Sequence, residues 1–379
     1  MDTSTAIPFT GESEVISPVA YRFEFRGTAA EYFRIWLVNI ALTILTLGIY
    51  SAWAKVRTKR YFYGNTFLGG ENFEYHASPL SILIARLIIV GVVVGGGVWA
   101  QNLGTAEDLY YSIALFLLLP WAWVRGLSFN ARNSSYRNIK FGFDRAYGFP
   151  YLFYTLNILL ISIFVLPWLV RGYHKYKCAQ HRWGELRFIF ARPSASPHLA
   201  AADLPSFNDK FNKPSVWPYI VIFWLGPVIL SIVSVIAAFI IVKIISPAGI
   251  DKVAEENLLY AVSVIFLLII FIFKIQAHLF RLFWNGVRAD NGAVFFCDFT
   301  AREFAYSILL VNFFATMFSF GLLHPWAKVR KTQFLTERIK IVAPPGTLDD
   351  IIARHREKEG ALGEEFDASE GFDFDVGII

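Results

Sequence analysis

The chain has 379 residues, of which 55% are hydrophobic and 17% are charged, and its formal net charge is +5. Soluble domains carry about a quarter charged residues, and here the apolar residues gather in long runs, which excludes an ordinary soluble domain. Because the basic residues flank these apolar runs, the positive charge indicates membrane orientation, and no nucleic-acid partner is expected.

Three regions are predicted along the chain. Residues 1–20 are polar, contain no apolar stretch of a cleavable signal, and are expected to be disordered. Residues 21–343 are predicted to form a membrane domain with internal repeats and interleaved β-hairpins. Residues 344–379 form an acidic tail. Cys178 and Cys297 lie in basic segments expected inside the cell, so no disulfide is predicted.

Seven apolar segments are candidates to enter the bilayer, namely 35–50, 80–100, 109–123, 149–170, 219–242, 258–273 and 304–323. The links 101–108 and 244–257 are poor in Lys and Arg and are expected outside, whereas the other links are basic and expected in the cytoplasm. Segments two–three and five–six are therefore predicted transmembrane hairpins. Segments one, four and seven have basic flanks on both sides, so they either span against the charge rule or dip in and return.

A five-residue motif occurs twice in the membrane domain. Trp53-Ala54-Lys55-Val56-Arg57 recurs unchanged as Trp326-Ala327-Lys328-Val329-Arg330, and weaker copies end at Arg125 and Arg171. A Trp followed by Lys or Arg at the membrane exit is an interfacial anchor. The predicted anchors are Trp53, Lys55, Arg57, Trp121, Arg125, Trp168, Arg171, Trp326, Lys328 and Arg330.

Three asparagines lie near the middles of segments one, four and seven: Asn39, Asn157 and Asn312. A buried amide without a partner is costly, so we expect them to face each other, another polar group or water. Helix packing and a polar pathway at mid-membrane both remain open.

Short alternating aromatic stretches precede the apolar segments and predict β-strands. They are Phe23-Glu24-Phe25, Phe73-Glu74-Tyr75, Phe141-Gly142-Phe143 and Phe188-Ile189-Phe190, with a less regular fifth around Phe296–Phe299. Turn signals lie close by, and isolated hairpins are marginal in water. We therefore hypothesise one cytoplasmic sheet or small barrel, closed by pairing of strands 21–26 and 337–342.

No catalytic or metal-binding motif is recognised. His174, Cys178 and His181 have ligand-like spacing, but no fourth ligand is visible nearby and the interleaved lysines oppose a dication. We expect no metal, no cofactor and no enzymatic activity.

Several motifs resemble those of the YjgN-like family of bacterial inner-membrane proteins, a domain of unknown function. They lie at 23–27 (Phe-Glu-Phe-Arg-Gly), 47–57 (Leu-Gly-Ile-Tyr-Ser-Ala-Trp-Ala-Lys-Val-Arg), 65–70 (Asn-Thr-Phe-Leu-Gly-Gly), 132–143 and 363–367 (Gly-Glu-Glu-Phe-Asp). The resemblance covers about residues 20 to 375. It implies a multi-pass protein of the bacterial inner membrane and brings no established activity.

The sequence therefore predicts a mainly α-helical polytopic membrane protein, with two transmembrane helical hairpins, three uncertain membrane segments and short cytoplasmic β-hairpins. The favoured function is a non-catalytic scaffold or adaptor that contacts membrane lipids and a cytoplasmic protein through residues 344–379. The alternative is a transporter or permeation pathway for a small or lipidic solute.

Overall fold

Ten short strands form a closed antiparallel barrel in the computed structural model. The structure describes residues 19–158, 162–190, 217–225, 253–346, 349, 352 and 353. Each strand pairs with its two neighbours in the chain, and the last strand pairs with the first. The strands are β1 (Val19–Phe25), β2 (Thr66–Leu68), β3 (Glu71–Tyr75), β4 (Ser134–Tyr136), β5 (Ile139–Phe143), β6 (His181–Trp183), β7 (Leu186–Phe190), β8 (Val287–Ala289), β9 (Val294–Cys297) and β10 (Ile339–Ala343).

One end of the barrel carries the tight turns that the sequence predicted. Gly69 and Gly70 between β2 and β3 have φ of 57° and 88°, and Arg137 and Asn138 between β4 and β5 have φ of 50° and 65°. Positive φ suits two-residue hairpin turns because it matches the right-handed twist of the strands. Strand pairs of three to five residues thereby remain in register.

Closure of the ring depends on the first and last strands. Tyr21 pairs with Ile341 and Val19 pairs with Ala343, as the sequence hypothesis required. Without this pairing β1 and β10 would each expose a row of backbone donors and acceptors, and a closed barrel removes both edges. The hypothesis that the hairpins join into one closed ring is confirmed.

The opposite end of the barrel carries the helices, inserted between successive strands. They are α1 (Ala29–Leu45), α2 (Ser51–Gly64), α3 (Pro79–Val90), α4 (Gly96–Leu103), α5 (Thr105–Arg132), α6 (Gly148–Ile158), α7 (Ser162–Gln180), α8 (Trp217–Ile220), α9 (Val253–Gly286), α10 (Ala301–Glu303), α11 (Val311–Phe318) and α12 (His324–Arg338). Wider π-helical turns join α3 to α4 and α10 to α11 and also follow α8. The chain is thus a series of strand–helices–strand units around one barrel.

The predicted fold class is wrong in its central feature. A mainly α-helical polytopic protein with two transmembrane helical hairpins, three uncertain membrane segments and short cytoplasmic β-hairpins was expected, and the strands instead build one closed ten-stranded barrel. The physical reason is that three-residue strands such as β2 cannot satisfy their backbone groups as isolated pairs. The barrel, rather than the helices alone, is therefore the common framework of the chain.

Three helical stretches of the described residues are long and apolar enough to cross a membrane: Pro79–Asn102, Asp108–Arg132 and Ile265–Gly286. They correspond to segments two, three and six of the sequence analysis. Of segment five only residues 219–225 are described, and the predictions for residues 1–18 and 354–379 also fall outside the described residues.

In the structure the chain turns back after segments one and seven. Helix α1 ends at Leu45, and α2 returns beside it, with the side chain of Asn39 in α1 bonded to the backbone of Ala54 in α2. Helices α11 and α12 have the same relation. Both ends of each hairpin therefore meet the barrel, which agrees with basic residues on both flanks.

Candidate functional site

The two hairpins that contain the repeated motif make the same contacts at the same spacing. Asn39 Nδ2 donates to the carbonyl of Ala54 at 3.4 Å, and Asn312 Nδ2 donates to that of Ala327 at 2.8 Å. Both amides are buried within the helix pair. An amide that bridges two packed helices satisfies its own donor and holds their register.

The tips of these hairpins are also equivalent. Gly48 has a φ of 93° and Gly321 a φ of 89°, and each donates its N–H to a threonine carbonyl at 2.8 Å, that of Thr43 and Thr316 respectively. The preceding residues, Leu47 and Phe320, are 95% and 96% exposed. A large apolar side chain held fully outward at a turn is suited to contact with lipid rather than water.

The predicted anchors occupy the return helices, but they do not share one environment. Arg125 lies over the Trp121 ring at 5.3 Å and Arg330 over the Trp326 ring at 5.1 Å. The other anchors differ in exposure: Trp168 and Arg57 are exposed, and Trp53, Lys55, Arg171 and Lys328 are half-buried. Trp53 stacks on Tyr50 with ring centroids 6.2 Å apart.

The three asparagines are not brought together. Asn157 is exposed and donates to the Phe153 carbonyl of its own helix at 2.7 Å. Asn312 Oδ1 accepts from Arg330 Nη1 at 3.2 Å, whereas Asn39 Oδ1 has no hydrogen-bond partner in the part of the chain that the structure describes. The observed contacts of Asn39 and Asn312 are those of helix packing.

The barrel interior holds the most enclosed candidate site. One phenylalanine from the first strand of each pair points inward, and each faces an inward residue of the second strand. The register pairs are Phe23 with Leu68, Phe73 with Tyr136, Phe141 with Trp183, Phe188 with Ala289 and Phe295 with Ile341. All ten residues line one cavity of about 350 Å³, called here the barrel cavity.

Aromatic contacts tie this layer together. The rings of Phe23 and Phe73 lie 6.2 Å apart, and those of Phe188 and Phe295 also lie 6.2 Å apart. Tyr136 donates its hydroxyl to the Leu68 carbonyl at 2.6 Å, so its polar atom is satisfied by backbone and does not point into the cavity as a free donor. The barrel cavity therefore presents a mainly apolar wall to any ligand, with Lys177 and His181 also in its lining.

A second space, the vestibule, lies between the barrel and the helices. It has a volume of about 550 Å³, and it is lined by Phe23, Thr58, Lys59, Phe62, Tyr63, Thr66, Phe73, Asn130, Ala131, Ser134, Phe141, His181, Lys328 and Thr332. Lys59 donates to Asn130 and to the Tyr75 hydroxyl. Lys328 lies 4.7 Å over the Phe62 ring and donates to the Tyr32 hydroxyl at 3.4 Å.

A third space, the hairpin cleft, opens between α1, α2, α3 and α12 with a volume of about 570 Å³. Its polar lining includes Asn39, Lys55 and Arg86, and Arg86 donates to the Ser51 hydroxyl at 2.8 Å. Its apolar lining includes Ile44, which is 69% exposed.

The three spaces adjoin in series. The hairpin cleft and the vestibule share Thr58, Lys59 and Lys328, and the vestibule and the barrel cavity share Phe23, Phe73, Phe141 and His181. The three spaces therefore follow one another from the hairpin of α1 and α2 to the interior of the barrel, with Lys59 and Lys328 shared by the first two.

The histidine and cysteine set serves packing in the structure. His174 Nδ1 lies 2.8 Å from the Tyr219 hydroxyl, and burial, followed by the charge of Lys177, lowers its pKa to about 4. His181 bonds to the Lys177 carbonyl. Burial raises the pKa of the Cys178 thiol to about 12. Among the described residues no group of three potential ligands could hold a metal ion.

Sequence reasoning missed Lys59, which lies only two residues beyond a predicted anchor, and did not connect the aromatic strands with a cavity. The signal for the cavity was present, because the first aromatic residue of four alternating stretches lines it: Phe23, Phe73, Phe141 and Phe188. Alternation predicts which residues share a face, and it does not reveal whether that face is a packed core or a cavity.

Comparison with known proteins identifies the family. The family described as "Bacterial protein of unknown function (DUF898)" matches residues 20–202 and 206–368. The chain is 31% identical over 152 residues to Inner membrane protein YjgN of Salmonella typhimurium, which covers 38% of each chain. It is 31% identical over 147 residues to that of Escherichia coli K12, over 37% of this chain and 36% of the relative.

These matches span less than two-fifths of the relatives, whose names state an inner-membrane location. No solved structure matches the chain. The family match extends over nearly all of the barrel strands and their helical insertions, and it agrees with the resemblance found in the sequence motifs. The chain therefore belongs to the YjgN-like DUF898 family of bacterial inner-membrane proteins.

Proposed function

We propose that this inner-membrane protein binds a lipidic solute and provides a route for it from the bilayer to the barrel cavity. The observation that carries the proposal is the series of adjoining spaces from the hairpin cleft through the vestibule to the barrel cavity. A scaffold without a ligand would gain nothing from an apolar cavity, since cavities cost packing energy.

The lining of the barrel cavity supports an apolar ligand. Its aromatic layer offers ring faces and edges, and its volume of about 350 Å³ falls at the lower end of the range of about 300–1,000 Å³ for small-molecule sites. Polar atoms such as the Tyr136 hydroxyl are already bonded to backbone. Such a site gains affinity from apolar burial rather than from hydrogen bonds.

The surroundings of the entrance support a source in the membrane. Leu47 and Phe320 at the hairpin tips are almost fully exposed, as is expected of side chains inserted in lipid. The hairpin cleft lies along the same helices. A solute that leaves the bilayer beside these hairpins would reach the vestibule without crossing bulk water.

The proposal is tested by filling the barrel cavity. Ala343 is 1% exposed and lines the cavity, whereas Ala20 is exposed on β1. Binding of a fluorescent polyene fatty acid and of the matching fatty alcohol is followed by energy transfer from tryptophan, with Trp183 in the cavity wall. Ala343→Phe is expected to weaken binding of both probes at least tenfold, and Ala20→Phe to leave it unchanged.

Two results would overturn this function. One is failure of the unaltered protein to bind either probe, and the other is equal binding by Ala343→Phe and the unaltered protein. Because Ala343→Phe could disturb the barrel, thermal unfolding is measured in parallel. The smaller Ala343→Leu should retain the native melting temperature and show an intermediate loss of affinity.

An adaptor is the second candidate, favoured by a contact at the turn end of the barrel. Asp349 Oδ1 accepts from Arg137 Nη1 at 2.9 Å, and Ile352 packs against the core of the barrel. The start of the acidic tail thus meets the protein's own barrel. Competition between this contact and a partner protein for residues 344–379 would be the basis of an adaptor.

A further inference from the structure

Two half-buried lysines lie along the route on the helix side of the barrel, and the aromatic groups that they contact carry no negative charge. Lys328 in the vestibule contacts the Tyr32 hydroxyl and the ring faces of Tyr32 and Phe62. Lys177 lines the barrel cavity and lies 5.7 Å from the centre of the Phe283 ring and 5.9 Å from that of Tyr173. Aromatic faces attract a cation but do not neutralise it.

Carboxylates are missing from this part of the route. No Asp or Glu is among the described residues that line the vestibule or the barrel cavity. Burial lowers the pKa of both Lys177 and Lys328, since removal from water disfavours the ammonium form. A buried ammonium group is costly unless an anion accompanies it, so the positions of these lysines need a reason.

The arrangement of charge and apolar surface is that of an amphiphile site. Lys328 lines the vestibule and the hairpin cleft, whereas Lys177 lines the barrel cavity together with the phenylalanine layer. A cavity of about 350 Å³ suits one slender chain rather than the two chains of a diacyl lipid. The anionic end of such a molecule would meet Lys328 in the vestibule and Lys177 at the cavity as its chain enters the barrel.

We infer that the ligand is a single-chain anionic amphiphile, whose acyl chain enters the barrel cavity and whose carboxylate or phosphate pairs with Lys328 and Lys177. This inference rests on the proposed function, because it names the chemical class of solute for the same route. Zwitterionic and neutral chains bind more weakly since they cannot compensate both ammonium groups.

The test compares probes of equal chain and different charge. The fluorescent polyene fatty acid and its alcohol are titrated into the full-length protein in a neutral detergent. The unaltered protein is expected to bind the acid about tenfold or more tightly than the alcohol, a factor that corresponds to about 1.4 kcal/mol. Lysophosphatidic acid should displace the fatty acid better than lysophosphatidylcholine does, which extends the class to phosphates.

Helix α7 supplies a matched control variant. Lys175 lies two residues before Lys177, but it is exposed and is not among the residues that line the three spaces. Lys328→Gln should reduce affinity for the acid about tenfold and leave affinity for the alcohol unchanged, Lys328→Arg should restore affinity for the acid, and Lys175→Gln should change neither.

The outcomes separate this inference from the function on which it rests. If both probes bind equally well to the unaltered protein, the anionic class is wrong while the route stands. If Lys328→Gln and Lys177→Gln each keep the preference for the acid, the lysines do not recognise the headgroup. If neither probe binds, the proposed function itself fails.

Discussion

Insertion of the hairpin tips in lipid is a prediction that can be worked out from their exposure. In the first hairpin Ile44, Leu45, Leu47 and Ile49 are 69%, 77%, 95% and 56% exposed. At about 2 kcal/mol for complete burial of a large aliphatic side chain, lipid contact of these exposed fractions is worth about 6 kcal/mol. A tip of this kind should be inaccessible to water-soluble reagents.

The test introduces a charge at the tip, and the labelling rate of a reporter cysteine measures its effect. Leu45→Cys removes part of the apolar contact and leaves about 4 kcal/mol of favourable lipid contact at the tip. This free energy corresponds to roughly thousandfold protection of the cysteine from a membrane-impermeant maleimide. Adding Leu47→Asp removes about 2 kcal/mol of apolar contact and adds about 3 kcal/mol of insertion cost. The double variant should lose its protection.

The labelling assay is done in native membranes without removal of the natural cysteines. Cys178 and Cys297 are buried, and burial raises the pKa of each thiol to about 12, so both react slowly. Ala20→Cys on the exposed face of β1 gives the reference labelling rate of a water-accessible site. If Leu45→Cys alone is labelled as fast as Ala20→Cys, the tip does not enter lipid and the reasoning is refuted.

Three further predictions follow from single residues and from the tail. Gly48→Ala places a side chain at a φ of 93° with no atom within 4 Å, so it should destabilise the protein by about 1 kcal/mol from backbone strain alone. Gly64→Ala in α2 should instead stabilise the protein by up to about 1 kcal/mol. Thermal unfolding measures both variants, and a change of stability with the same sign in both would contradict the strained backbone at Gly48. The pKa of His174 is lowered to about 4 in the fold from 6.5, so stability should fall by up to about 3 kcal/mol as pH decreases from 6.5 to 4, and an equally steep decrease in His174→Gln would exclude this cause. Deletion of 344–379 should remove every partner from a pull-down if the protein is an adaptor, and recovery of no partner with either chain would count against that function.

Local pattern accounts for much of the framework. The alternation around Phe23, Phe73 and Phe141 predicts strands, and the residue pairs Gly69-Gly70 and Arg137-Asn138 predict their turns. The structure has strands and turns at these places, and all four turn residues have positive φ. These features can be predicted from the sequence because side-chain period and turn conformation depend on neighbouring residues. The orientation of the chain in the membrane stays a prediction from its basic links.

Segments one and seven show where sequence reasoning was incomplete. Their length and hydrophobicity allowed either a span or a return, because both choices bury the same apolar residues in lipid. The return is decided by contacts between helices, such as Asn312 with Ala327, and by the tip glycines. The asparagines were recognised by position, but their bonding partners could not be derived from spacing alone.

What the sequence by itself determined is immersion in a membrane, the short strands with their alternating aromatics, and the family. Only the tertiary structure decided that Tyr21 meets Ile341, that the ring closes, that the aromatics face a cavity, and that Lys177 lines this cavity while Lys328 lines the vestibule. The reason is that hydropathy and periodicity are properties of a few consecutive residues, whereas closure and cavities depend on pairings between opposite ends of the chain.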